Sequence, residues 1–130
     1  MKINHIAIWT NDPERLRDFY CTHFKAFSND RYYNPLKQFT SYILTFETGS
    51  CSIEMMNQPD LYNTDPSSHK KHVGLAHIAF SVGSKVEVDL MTARLRKEGI
   101  IVYSEPRFTG DGFYESAIKD PDGNIVEITI

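Results

Sequence analysis

The chain has 130 residues, 41% apolar and 24% charged, with a formal net charge of −3. That is the size of one compact domain, able to bury about two-thirds of its unfolded surface, and the near-average composition excludes long disorder. A net acidic chain lacks the concentrated basic surface that nucleic-acid binding requires, and no segment approaches the roughly 20 apolar residues of a membrane span.

The start Met1-Lys2-Ile3 has no apolar signal-peptide core. Cys21 and Cys51 are too few for a disulfide scaffold or a zinc knuckle. A cytoplasmic location with reduced, structural thiols is the expectation.

In chain order, Ile3 to Trp9 is short and isoleucine-rich, which suits a strand. Asn11-Asp12-Pro13 supplies a cap and a first-turn proline, and Leu16, Phe19, Tyr20, Phe24 and Phe27 recur at helical spacing, so a helix is expected from about Asp12 to Phe27. Asp30 to Gln38 reads as a short strand plus loop. Phe39 to Phe46 and Cys51 to Asn57 form a hairpin about the turn Glu47-Thr48-Gly49-Ser50. Residues 58–74, rich in Pro, Asn, Asp and Ser, read as a linker, with His69, Lys70, Lys71 and His72 as solvated side chains.

The second half repeats this order. Leu75 to Val82 is a strand, and Ser84 with Glu87 forms a capping box for a helix ending at Gly99, with Val86, Leu90, Ala93 and Leu95 as its buried stripe. Strands follow at Ile100 to Tyr103, Gly112 to Lys119 and Asn124 to Ile130, the last two joined by Asp120-Pro121-Asp122-Gly123. The expected fold is α+β, with β-α-β-β-β twice in a single domain 1–130: repeats at about 1–57 and 75–130, and linker 58–74.

The duplication reaches single residues. His5-Ile6-Ala7-Ile8 recurs as His77-Ile78-Ala79-Phe80, an offset of 77 − 5 = 72, and Glu54 recurs as Glu127, an offset of 127 − 54 = 73. Side chains alternate along a strand. His5 therefore shares a face with Ala7 and Trp9, Glu54 with Ser52 and Met56, His77 with Ala79 and Ser81, and Glu127 with Ile125 and Thr129. The helices are expected to cover the strongly apolar faces of the second module, with the His and Glu side chains pointing toward the other face. An unpaired carboxylate inside Ile125-Val126-Glu127-Ile128-Thr129-Ile130 is costly. A divalent transition metal would satisfy His5, Glu54, His77 and Glu127 together, and mixed nitrogen and oxygen donors suit Zn, Ni, Co, Mn or Fe.

Asn4-His5-Ile6-Ala7, Ser52-Ile53-Glu54, Leu75-Ala76-His77-Ile78-Ala79 and Lys119-Asp120-Pro121-Asp122-Gly123-Asn124-Ile125-Val126-Glu127 resemble the vicinal-oxygen-chelate superfamily. Its members include glyoxalase I, methylmalonyl-CoA epimerase, extradiol dioxygenases, and fosfomycin and bleomycin resistance proteins. The resemblance covers essentially the whole chain and implies paired β-α-β-β-β modules whose curved open sheets form a cup, usually in a homodimer. Glyoxalase I uses four such ligands, whereas extradiol dioxygenases and fosfomycin resistance enzymes use two histidines and one glutamate, so Glu54 tilts the reading toward glyoxalase I.

The resemblance then implies one divalent metal ion per site, Zn or Ni first. The reaction would be a lactoylglutathione lyase-like isomerisation of a small α-hydroxycarbonyl, or its thiol adduct, through a metal-chelated enediolate. Glu127 is the expected base and Glu54 its symmetric partner. Trp9, Met56, Ala7 and Ala79 would line the cup, and Arg107 or Tyr114 would reach the small-molecule substrate. Glyoxalase I has an arginine where this chain has Trp9, and Asn57 does not restore that charge, which argues against glutathione as cosubstrate. A thiol transferase or antibiotic resistance enzyme, and a non-enzymatic small-molecule binding protein of the same fold, are the competing classes. The intact four-residue set weighs against simple sequestration.

Overall fold

Asp12 and Pro13 begin the first helix as their chemistry requires: the Asp12 carboxylate accepts from the backbone N–H of Arg15 at 3.0 Å, and proline takes the first helical position. The structure is a computed structural model describing residues 1–47, 51–62 and 73–130. It divides into two compact units, Met1–Asp65 and Pro66–Ile130. Both are mixed α+β with open sheets, and the division falls inside the expected linker. Thr48-Gly49-Ser50 and most of that linker, including His69, Lys70, Lys71 and His72, lie outside the described residues.

In the first unit β1 (His5–Trp9), α1 (Pro13–Phe24), β2 (Phe27–Ser28), β3 (Tyr32–Asn34), β4 (Phe39–Thr45) and β5 (Ser52–Asn57) follow in order. The sheet runs β1-β5-β4-β2, with β3 also on β4 and β1 parallel to β5. Leu16 and Tyr20 of α1, Leu44 of β4 and Met55 of β5 are fully buried, each such apolar side chain contributing about 1.5–3 kcal/mol.

The helix is shorter than expected. Lys25 turns left-handed at φ 56° and its N–H bonds back to the Tyr20 carbonyl, closing the helix after Phe24. Phe27 mimics helical spacing but belongs to β2, paired with Thr45, and is 64% exposed.

In the second unit β6 (Ile78–Ser81), α2 (Lys85–Lys97), β7 (Val102–Phe108), β8 (Tyr114–Lys119) and β9 (Ile125–Thr129) form a sheet in the order β6-β9-β8-β7, again with a parallel first pair. Ser84 caps α2 by accepting from the Glu87 N–H at 3.2 Å. The buried stripe is Val88, Thr92 and Leu95, while Val86, Leu90 and Ala93 are exposed, so only Leu95 of the expected stripe is core. Thr92 obscured the phase. Its hydroxyl lies 2.6 Å from both the Val88 carbonyl, to which it donates, and the Ser116 hydroxyl, which makes a polar residue acceptable inside. Strand β7 also runs further than Ile100 to Tyr103, with register shifts after Val102 and Ser104.

The Asp120-Pro121-Asp122-Gly123-Asn124 stretch is a turn with a defined job. Asp120 is buried, and its carboxylate accepts from the N–H groups of Asp122 and Asn124 and from the Asn124 side-chain amide, at 2.9–3.0 Å. Gly123 takes φ 86°, where a side chain is disfavoured. The turn thereby sets the β8–β9 register that pairs Ala117 with Glu127.

Candidate functional site

Strand register places the repeated residues identically in each unit. Ala7 pairs with Glu54 across β1 and β5, and Ala79 pairs with Glu127 across β6 and β9. Each histidine stands two residues before its alanine and shares the glutamate's face. His5 Nε2 lies 3.8 Å from Glu54 Oε2, and His77 Nε2 lies 3.2 Å from Glu127 Oε2. Those faces are opposite to the ones under the helices, which bear Ile53 and Met55 in one unit and Val126 and Ile128 in the other.

The His5 ring is oriented from behind, with Nδ1 2.9 Å from Asn4 Oδ1. With the proton on Nδ1, that bond leaves the Nε2 lone pair facing Glu54, the arrangement that suits a metal-ligating imidazole. The histidine side chains are 47% and 43% exposed and the glutamates 20% and 19%. At such exposure an ion pair stabilises little. Burial pushes the Glu127 carboxyl above the usual carboxylate range and the neighbouring Glu115 adds to this, while His77 and Arg107 act against it.

The donor spacing of the His77–Glu127 pair is that of two ligands on one ion. Two ligand atoms each about 2.1 Å from one ion stand about 3.0–3.4 Å apart at octahedral or tetrahedral angles. The His77–Glu127 distance falls in that range, and the His5–Glu54 pair needs to close by only a few tenths of an ångström. Among the described residues no group of three or more His, Cys, Asp or Glu side chains is placed to hold an ion, so each unit by itself offers two donors.

The expected lining residues divide. Trp9 pairs with Met56 on the face of Glu54. Arg107 pairs with Glu115, which pairs with Thr129, placing Arg107 on the face of Glu127. Its guanidinium bonds the Ser104 hydroxyl at 2.7 Å and lies 3.5 Å from the Glu115 carboxylate. Tyr114 does not reach this face. It is buried on the helix side, where its hydroxyl donates to Asp89 at 2.7 Å and Lys85 lies 4.2 Å above its ring.

Sequence reasoning missed Asn4, Ser104 and Glu115. Alternation within Tyr114–Lys119 separates Tyr114 from Glu115, and that signal needed only the pairing of Ala117 with Glu127 to become useful.

A family model for the glyoxalase/bleomycin resistance protein/dioxygenase superfamily matches residues 2–128. The chain belongs to this superfamily. A relative from Bacillus subtilis (strain 168), the uncharacterized protein YqjT, is 29% identical over 97% of this chain and 96% of its own. Among solved structures, a glyoxalase family protein from Enterococcus faecalis superposes with a TM-score of 0.79 at 24% identity, covering 99% of this chain and 97% of that one. The trypanothione-dependent glyoxalase I of Leishmania major gives a TM-score of 0.74 at 23% identity, over 99% of this chain and 86% of that one. These structural likenesses establish the glyoxalase fold. Among the described residues no helix is long and apolar enough to cross a membrane.

Proposed function

We propose that this superfamily member is a metal-dependent, glyoxalase I-like lyase or isomerase acting on a small α-hydroxycarbonyl or its thiol adduct. Each chain contributes His5, Glu54, His77 and Glu127 to binding a divalent ion, zinc or nickel before cobalt, manganese or iron. The observation carrying this reading is the repeated His–Glu pair, at the same register in both units and at donor spacings of 3.8 and 3.2 Å.

A bound divalent ion would act as a Lewis acid toward two neighbouring substrate oxygens and hold the negative charge that develops there. Glu127 takes the proton from the hydroxyl-bearing carbon and returns it to the adjacent former carbonyl carbon, while the hydroxyl proton passes between the two oxygens. The atoms balance without an oxidant or reductant. Glu54 is the symmetric partner in this transfer, Asn4 orients His5, and Ala7 and Ala79 leave room above the two glutamates. Arg107, braced by Ser104 and Glu115, offers a cation to a polar or anionic substrate group.

The setting proposed is the cytoplasm, in keeping with two unpaired cysteines, and the assembly a homodimer. Exposed Val86, Leu90, Ile101 and Phe108 in the second unit support association. Sedimentation showing only monomer at micromolar concentration would contradict the dimer.

A screen of metal-loaded protein against hemithioacetals tests the reaction. Turnover abolished by Glu127→Gln with metal retained is expected. Absence of turnover on every thiol adduct and free hydroxycarbonyl, with metal bound, overturns the lyase reading. The glutathione adduct of methylglyoxal should be a poor substrate, because the uncharged Trp9 cannot replace an arginine contact worth on the order of a hundredfold in binding.

A further inference from the structure

One row beyond Glu54, the uncovered face of the first unit carries aromatic side chains that core packing does not use. Trp9 pairs with Met56, Met56 with Ser41, and Ser41 with Tyr32, while Phe39 stands two residues from Ser41 on the same face of β4. Trp9 and Phe39 meet edge to face, centroids 6.2 Å apart and planes at 87°, and Tyr32 meets Phe39 at 6.2 Å and 62°. Trp9 is 48% and Tyr32 52% exposed, yet Ser41 between Met56 and Tyr32 is 5% exposed. The rings therefore stand up around a covered polar floor.

Two rings at right angles form a corner. A flat ring entering it can stack on one wall and present its edge to the other, the two arrangements aromatic quadrupoles favour. The adjoining row is Ala7, Glu54 and Ile43. Rows on one face of a strand are about 6.8 Å apart, a distance spanned by an aryl group joined directly, or through one or two atoms, to a carbon held at His5 and Glu54. The aliphatic side chains around Glu54 offer no comparable stacking surface.

We propose that Trp9, Phe39 and Tyr32 form a specificity corner selecting substrates whose reacting carbons carry a planar aromatic or conjugated group. This rests on the functional reading above, in which His5 and Glu54 help hold the ion that the substrate oxygens approach. It narrows the substrate class from small α-hydroxycarbonyls to aryl-bearing ones.

Trp9 is the only tryptophan in the chain, so its emission reports on the corner without any turnover. Zinc-loaded full-length protein is titrated with mandelate and with lactate, which differ by phenyl for methyl. Mandelate should alter Trp9 emission and bind at least about tenfold more tightly than lactate, and Phe39→Ala and Tyr32→Ala should each reduce that preference about threefold or more. Equal binding of the two acids overturns the proposal. So does an unchanged preference in both variants accompanied by loss of self-association, which would assign the rings to contact between two copies of the chain. Tyr32 is exposed, so Tyr32→Ala keeps the test decisive if Phe39→Ala fails to fold. Zinc content measured on the same samples separates the two readings. Protein that holds no zinc but keeps the mandelate preference refutes the metal reading and retains the corner, whereas protein that holds zinc with no preference does the reverse.

Discussion

Replacing Asp120 by Ala should destabilise the second unit far more than a typical turn substitution. The carboxylate accepts hydrogen bonds from the Asp122 and Asn124 backbone N–H groups and the Asn124 amide, and the residue is only 5% exposed. Hydrogen bonds to a charged group contribute about 1.5–3 kcal/mol each. Water reaching the freed N–H groups of a surface turn recovers part of the sum, leaving a loss of about 3 kcal/mol. With a urea slope of about 2 kcal/mol per molar, the unfolding midpoint by far-UV circular dichroism falls by about 1.5 M. Asp120→Asn keeps one carbonyl oxygen for the two backbone donors and should lose less than half as much. Because the turn also sets the register of Glu127, Asp120→Ala should weaken the proposed metal binding before it unfolds the chain. A midpoint shift below about 0.3 M would refute the claim that this motif is a structural clamp.

Two further outcomes follow from particular contacts. Thr92→Val removes a buried partner of the Ser116 hydroxyl and should cost about 1–3 kcal/mol, whereas Thr92→Val with Ser116→Ala should recover much of that loss; additive losses in a denaturation cycle would contradict a coupled pair. Asp89 is held below the ordinary carboxylate range, first by the Tyr114 hydroxyl and then by Lys85. A depressed folded value means that its stabilisation is present above the unfolded carboxylate pKa and is lost as pH falls through the lower folded one. Tyr114→Phe should therefore flatten the acid limb of stability while leaving metal content and ligand affinity unchanged, and a loss of ligand binding in that variant would return Tyr114 to the site.

Much of this was legible because the chemistry repeats. His5 and His77, Glu54 and Glu127 announce themselves by nearly equal offsets, and strand alternation alone assigns them to the faces where they are found. Asp12, Pro13, Ser84 and Glu87 mark helix starts because capping is local chemistry. What failed depended on partners distant in sequence. Phe27 fits the helical period, but the left-handed Lys25 and the pairing of β2 with β4 decide its fate. Thr92 looks like surface until Ser116 is brought beside it, and with the stripe shifted, Val86 and Leu90 move outward. Tyr114 and Arg107 looked equivalent as ligand contacts, and pairing across β7, β8 and β9 separates them onto opposite faces. The aromatic corner was half visible in Trp9, whereas Phe39 and Tyr32 join it only through the register of β3 and β4.

The central claim, that the repeated His–Glu pairs bind a catalytic metal, is tested most directly by elemental analysis of the purified protein and its His5→Ala/His77→Ala variant, with circular dichroism to confirm that both are folded. About one divalent ion per chain in the wild type, as expected for a set of two imidazoles and two carboxylates, and none retained in the folded double variant, is the predicted result. Stoichiometric metal in the double variant, or a wild-type protein that takes up no divalent ion when supplied with zinc or nickel, would contradict it.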